Sequence, residues 1–357
     1  MRLCASARNF YLLNRNAILL SLTNEYLLVF VFCLAVILGP AIATLFEYDL
    51  TRFPDCNTYL SLAHFDLAQN PVRCYRVIIP FAAALLNFLF GGIFSKLTPA
   101  YFTGNFSLPF SFFLINTMLT AWFGLLIYRL NRVCHISSVP ALIGTLTMLT
   151  CRYTVYMAAL PLVDSLFCVV IALTLLGIKE KNTKMLLWAI FLGPCAKESF
   201  IFIAPLIFFF SHLDKKKQLF YFLLSGILVF ACRYVYSVYA HIPPSGWLAA
   251  DMAHAPNLLY YLPKPFTFYT LNKILMNTGL WIMAPILVLI IKRGKTGNLF
   301  NSKDKFLAWF LVAVLVQMLL SGSVERMFYL AMPVICIVVG WSVGEIMKLY
   351  QGSGNNS

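Results

Sequence analysis

The chain is 357 residues long, with 61% hydrophobic, 16% aromatic and only 11% charged residues, and a mean hydropathy of +0.81. No water-soluble fold hides that much apolar surface, so most of the chain must face lipid or pack inside a helical bundle, which leaves no room for a soluble catalytic module. The net charge of +14 would suggest nucleic acid in a soluble protein, but between apolar segments Lys and Arg set membrane orientation, and no nucleic-acid partner is implied.

The hydrocarbon core of a bilayer is crossed by about 20 apolar residues. Arg2, Arg8 and Arg15 precede the first such stretch, Tyr26 to Leu45, which no small-residue cleavage site follows, so an uncleaved anchor is expected there. Further crossings are expected at Pro109–Tyr128, Val139–Val155, Leu162–Ile178, Leu219–Val238, Ile274–Ile291, Phe306–Leu320 and Phe328–Met347. That makes an all-α, polytopic transmembrane bundle of about eight full spans, forming a single integral-membrane domain over residues 1–357.

Basic clusters mark the cytoplasmic side: the N-terminal arginines, Arg129/Arg132, Lys179/Lys181/Lys184, Lys215–Lys217, Lys292/Arg293/Lys295 with Lys303/Lys305, and Lys348. Both termini are then cytoplasmic. Two apolar stretches do not fit as simple crossings. Leu186–Phe210 starts after one basic loop and ends before another, so it must turn back, with Lys197 and Glu198 at the tip of a broken pair of short helices. Val77–Phe94 is expected to be re-entrant or to lie at the outer surface.

On this map the acids Glu47, Asp49, Asp55, Asp66, Asp164, Glu198, Asp251 and Glu325 fall outside, while Glu25, Glu180, Asp214, Asp304 and Glu345 fall inside. The first outer loop, residues 46–76, is too polar to span and offers Tyr59, Leu60, Leu62, Phe65 and Leu67 as the membrane face of an interfacial helix. The second, residues 239–272, carries "HIPPSGW" and "YYLPKPFTFY", whose prolines stop regular structure and whose aromatics suit the headgroup layer, as a lid or acceptor groove would.

Charges at the ends of apolar segments cost several kcal/mol unless paired or wet, which makes them functional candidates. They form four clusters on one face: Asp55 with Arg73 and Arg76, Asp164, Lys197 with Glu198, and Glu325 with Arg326. Plainer roles exist for each. Asp55 and Asp164 suit helix N-caps, Arg73 and Arg76 can snorkel to headgroups, Lys197 and Glu198 can pair with each other, and Glu325 and Arg326 can cap and anchor the last span. The ten cysteines lack metal-like spacing, and only Cys56 and Cys74, both in the first outer loop, leave a disulfide open. Without an Asp-x-Asp or histidine cluster, neither metal nor cofactor is expected.

The run Asp55-x3-Tyr59-x3-Ala63, then Tyr75-Arg76-x3-Pro80, Ala196-Lys197-Glu198 and Glu325-Arg326-x6-Pro333, resembles the polytopic GT-C glycosyltransferases. The resemblance implies transfer of a sugar from a polyprenyl-phosphate donor on the outer face, with an acid of the first outer loop serving the reaction. That role falls on Asp55, with Asp49 and Asp66 as competitors. Sugar transfer needs a carboxylate to take the acceptor's proton and cations to stabilise the departing lipid phosphate. Asp55 is the expected base of an inverting reaction. Arg73, Arg76, Lys197 and Arg326 are the expected phosphate-binding cations, with Asp164, Glu198 and Glu325 shaping the sugar site. The acceptor would be a glycan, a glycolipid or a protein at a cell envelope, and the membrane a bacterial cytoplasmic one. A lipid-linked-sugar flippase and a noncatalytic subunit of a glycan-assembly complex are the alternatives.

Overall fold

The structure, a computed structural model, describes residues 2–50, 53–69, 73–97, 106–241, 267–291, 304–320 and 324–354, with side chains described from residue 24 to residue 351 and not at Glu325. Every regular element among them is helical, as apolar surroundings require when each backbone N–H must be satisfied within its own segment. Most of the second outer loop lies outside the described residues, as do Asp251, Lys292, Arg293, Lys295 and Lys303.

In chain order the helices are α1 (Arg2–Glu47), α2 (Pro54–Ala63), α3 (Ile78–Phe94), α4 (Ser107–Val133), α5 (Ser138–Leu149), α6 (Arg152–Ala159), α7 (Asp164–Lys179) and α8 (Thr183–Ala196). A 3-10 turn (Glu198–Phe202) follows, then α9 (Ala204–Phe210), α10 (Lys215–Tyr239), α11 (Phe268–Thr278), α12 (Met283–Ile291), α13 (Lys305–Leu320), α14 (Val324–Phe328) and α15 (Met332–Gly354). Six helical segments are long and apolar enough to cross a bilayer: 24–47, 78–97, 107–133, 215–239, 268–291 and 326–351. That is the signature of an integral membrane protein. Helix α7 is buried along almost its whole length and forms the centre of the bundle, with α4 and α8 packed on it.

The expected crossing Val139–Val155 is not one helix. It breaks at Cys151, whose backbone is extended, and α6 then meets α7 at a bend of 119°. Polar side chains stabilise both corners: at the break Thr154 Oγ1 donates to the carbonyl of Met148 at 2.5 Å, and at the bend Asn116 Nδ2 donates to the carbonyls of Leu160 and Leu162 at 3.0 and 2.9 Å. Carbonyls left open by a bend at this depth would each cost about 1–3 kcal/mol without such partners. Phe306–Leu320 is also shorter than a span, at 16 residues in α13.

Both unusual stretches are informative. Leu186–Phe210 does turn back: Thr183, at the start of α8, hydrogen-bonds His212, just past α9, across 3.0 Å, so the two arms begin and end together. The tip is at Lys197, after Pro194, where the backbone is extended. Helix α3 passes the length test for a crossing and packs along α4. Phe81 stacks on Phe65 beyond α2, with ring centroids 5.5 Å apart, while Phe94 meets Phe110, whose neighbour Phe106 packs on Phe46 at the end of α1.

The hairpin depends on Gly193, because a Cβ there would come within 2.4 Å of the buried Phe200 ring. Gly193→Ala is therefore expected to lower stability by about 1–3 kcal/mol through overpacking, read as a drop in the thermal unfolding midpoint of the purified protein. An unchanged midpoint would show that the ring can yield. At the other side of the molecule, Gly144 lets α5 approach α15, where a Cβ would lie 2.5 Å from the carbonyl oxygen of Cys336, a close crossing of the kind small residues permit in membranes.

Candidate functional site

The charges divide between the two ends of the bundle. At one end, Arg129 pairs with Glu180 at 2.5 Å, Lys179 with Asp304, and Glu25 with Tyr128 and Arg132. The other, here the site end, gathers residues from α2, the segment before α3, α7, the hairpin tip, α10 and α14. Their sequence separation reaches 271 residues, from Asp55 to Arg326.

A continuous chain of ion pairs runs through this end. Asp55 Oδ1 meets Arg73 at 2.7 Å, and Asp55 Oδ2 meets Arg326 NH1 at 2.7 Å. The other terminal nitrogen of Arg326 binds Asp164 Oδ2, and Asp164 Oδ1 takes Lys197 Nζ at 2.8 Å. Tyr153 donates its hydroxyl to Asp164 at 3.1 Å. A second group sits beside it: Arg76 grips Glu198 through Nε and NH2 at 3.1 and 2.9 Å, donates to the Tyr59 hydroxyl at 3.1 Å, and Arg233 approaches the other Glu198 oxygen at 3.9 Å.

Local structure explains why these side chains converge. Pro54 and Asp55 open the first turn of α2, and Asp164 begins α7, so both carboxylates lie at positive helix ends. Neither is a side-chain cap: Phe53 and Val163 occupy those positions, and the carboxylates turn to the arginines. Asn116 also fixes the α7 entry, since its Oδ1 accepts from Ser165 at 2.6 Å. Lys197 and Glu198 do not pair with each other; the extended backbone at Lys197 sends the two side chains to Asp164 and Arg76 respectively. Arg73 and Arg76 are ion-paired rather than turned to headgroups.

Helix α2 differs from the interfacial helix expected of it. Tyr59 and Leu62 are fully buried against the bundle, and only Phe65 is well exposed. Burial pushes the Tyr59 phenol up from its ordinary pKa, against the opposing charge of Arg76, so it stays a neutral hydrogen-bonding group. Cys56 and Cys74 are both buried, and neither is in a disulfide. Burial pushes each thiol up to about 12, with the Asp55 charge adding to the effect at Cys56 and Arg233 opposing it at Cys74. As thiolates are the reactive form, both are expected to resist maleimide labelling in the folded protein and to label after denaturation. A mass shift showing a native Cys56–Cys74 bond would contradict this.

A cavity of about 360 Å³ opens at the site end, and among its lining residues are Asp55, Arg326, Tyr153, Phe53 and Tyr156. Of the three acids considered for catalysis, Asp55 lines it. Asp49 is exposed elsewhere, and Asp66 is an exposed partner of Gln69. Lys197, Arg76 and Glu198 stand outside the cavity lining, with Lys197 4% exposed; they hold Asp164 and the hairpin in place. The Glu325 side chain is outside the described residues. Arg152, Lys273 and Asn277, which sequence reasoning did not single out, also line the cavity. Arg233 was missed too, although an arginine inside the apolar run of α10 is itself a signal. Among the described residues no group of three His, Cys, Asp or Glu side chains is arranged to hold a metal ion.

No family model, curated protein or solved structure matches this chain. The chemistry of the cavity carries the functional reading.

Proposed function

We propose that the chain is a membrane glycosyltransferase of GT-C-like type, moving one sugar from a polyprenyl-phosphate donor to a glycan, glycolipid or protein acceptor, with Asp55 as general base. The observation that supports this reading most is that Asp55, the acid of the first loop, lines the cavity beside Arg326. Each Asp55 oxygen already accepts one guanidinium, which fixes the carboxylate while leaving lone pairs for an incoming hydroxyl.

In the proposed step the acceptor oxygen attacks the anomeric carbon as its proton passes to Asp55. The bond from that carbon to the lipid phosphate breaks, and the phosphate leaves with the electron pair towards the Arg326 guanidinium. One displacement inverts the anomeric centre. Across the whole charged cluster, the cations Arg73, Arg76, Lys197, Arg233 and Arg326 outnumber the carboxylates Asp55, Asp164 and Glu198, a surplus that favours an anionic leaving group. With the basic clusters of the opposite end on the cytoplasmic side, the cavity faces the extracytoplasmic side of a bacterial cytoplasmic membrane and both termini are cytoplasmic.

The test is transfer of radiolabelled sugar from a panel of polyprenyl-phosphate sugars in membranes carrying wild type or Asp55→Asn, with and without EDTA. Wild-type transfer that survives EDTA and falls by about 10²-fold or more in Asp55→Asn, the scale of a lost general base, is the expected result. Donor that crosses proteoliposomes without any transfer would favour the flippase reading instead.

A further inference from the structure

A second cavity, of about 570 Å³, shares no lining residue with the first. One wall is the returning arm of the hairpin, from Ile201 to Phe210, and the other is a face of α13, where Trp309, Val312, Ala313 and Val316 recur at the spacing of a helical stripe. The lining is apolar and aromatic throughout, and Phe209 and Trp309 are exposed, so the cavity is a groove open sideways to lipid. The end of α9 and the start of α13 both lie at the basic end of the bundle, the first through the Thr183–His212 contact and the second through the Lys179–Asp304 pair. The groove therefore begins at the basic end and runs towards the hairpin tip. From Trp309 to Val316 it follows about 10 Å of helix, within the roughly 15 Å depth of one leaflet.

Cations stand at the mouth of this groove. Lys215 folds back from the start of α10 onto the end of α9: its ammonium donates to the carbonyl of Phe208 and lies 4.7 Å from the centroid of that ring, beside the two residues that end the wall, Phe209 and Phe210. Lys305 precedes Trp309 by one helical turn on the same face of α13. Helical side chains lean towards the N-terminus, so Lys305 reaches out of the groove at its mouth. The acids of this end are committed elsewhere: Glu180 to Arg129, Asp304 to Lys179, and Asp214 to the backbone N–H of Lys216 at 2.7 Å. Among the described residues no carboxylate lies within ion-pair distance of Lys215 or Lys305. Lys216 and Lys217, both exposed, add to the positive field. An apolar slot with cations at one end matches an amphiphile that has an anionic head and a hydrocarbon tail.

We propose that this groove binds an anionic phospholipid of the leaflet at the basic end, with one acyl chain lying between α9 and α13 and the phosphate headgroup held by Lys215 and Lys305. The site is independent of the sugar-transfer reading. A zwitterionic phospholipid offers the same tail, but the cation of its headgroup opposes the lysines, so charge complementarity selects the anionic lipid. A carrier lipid entering from the site end would place its phosphate at the opposite end of the groove, away from both lysines. The bound lipid braces the arm of the hairpin whose tip carries Lys197 and Glu198, and as a ligand of the folded state alone it stabilises the protein by mass action.

The experiment is native mass spectrometry of the purified full-length protein in detergent, titrated with dioleoyl phosphatidylglycerol or dioleoyl phosphatidylcholine. Wild type is expected to bind phosphatidylglycerol about fivefold to thirtyfold more tightly than phosphatidylcholine, the scale of one or two lysines at an anionic headgroup. Lys215→Gln/Lys305→Gln should bring the two lipids level, and Lys215→Arg/Lys305→Arg should keep the preference, which separates charge from packing. Ala313→Phe, which leaves every charge in place and fills the slot, should weaken both lipids. Phosphatidylglycerol should also raise the thermal unfolding midpoint of wild type, and not that of Lys215→Gln/Lys305→Gln. Equal affinity of wild type for the two lipids, a preference that survives in Lys215→Gln/Lys305→Gln, or unchanged lipid binding by Ala313→Phe would overturn the site. A wild-type dimer that Ala313→Phe converts to monomer would overturn it as well, by making a second copy of the chain the occupant of the groove.

Discussion

Lys197→Met is expected to destabilise the protein by about 1–3 kcal/mol, the cost of leaving a buried acceptor oxygen unsatisfied, because Asp164 loses one of its two cations and keeps Arg326. The side chains of Lys197 and Asp164 are only 5% and 3% exposed, and their contact is 2.8 Å long. Lys197 also sits 5.6 Å above the Phe167 ring. Asp164→Leu should cost more, about 3–5 kcal/mol, by stranding the ammonium and taking one of Arg326's two carboxylates. The two substitutions together should cost clearly less than their sum, because removing both charges also removes both desolvation penalties. Denaturant or thermal unfolding of the four proteins in one detergent reads this cycle. Single variants within about 0.5 kcal/mol of wild type, the range of ordinary surface changes, would mean that Lys197 is solvated rather than paired.

The second large effect is expected at Arg326. Its two terminal nitrogens bridge Asp55 and Asp164, so one side chain links the proposed base to the entry of α7. Arg326→Gln should lower sugar transfer by about 10²- to 10³-fold, the scale found when a transition-state donor is lost, and should also reduce stability. Arg326→Lys should not restore transfer, because an ammonium cannot reproduce a planar fork that reaches two carboxylates at once. Rates measured at saturating and limiting donor would separate the two roles: a loss confined to limiting donor would make Arg326 a binding residue only, contrary to the proposed step. Full activity in Arg326→Lys would show that charge alone suffices.

The membrane class, the helical architecture and the division of charge between the two ends were legible in the sequence, because each follows from local composition. Apolar length identifies segments able to cross, and the basic clusters partition the loops. The turn at Lys197 was also readable, since Leu186–Phe210 lies between two basic loops and its Pro194 and charged pair interrupt an otherwise apolar run. The number of crossings was less legible. Val139–Val155 has the composition of one span, and its break at Cys151 depends on Thr154 taking up the carbonyl of Met148, while the bend into α7 that follows depends on Asn116, a side chain from a different helix. Such a bend is stable only in the tertiary context that supplies its hydrogen bonds.

The sequence by itself determined which charges had to be accounted for: Asp55, Arg73, Arg76, Asp164, Lys197, Glu198 and Arg326 are conspicuous because ionised groups near membrane depth are costly. Their partners were decided only by the tertiary structure. Neighbours in sequence, such as Lys197 and Glu198, went to different partners because an extended residue points successive side chains apart, while Asp55 and Arg326, 271 residues apart, became a pair. The cavity was decided in the same way. Arg152, at the start of α6, and Lys273, in the middle of α11, look like ordinary helix residues, and only the packing of α11 against the corner between α5 and α6 brings them to the wall near Asp55. Pairing depends on where folded backbones place charged ends, and that information is distributed over the whole chain rather than held in any one motif.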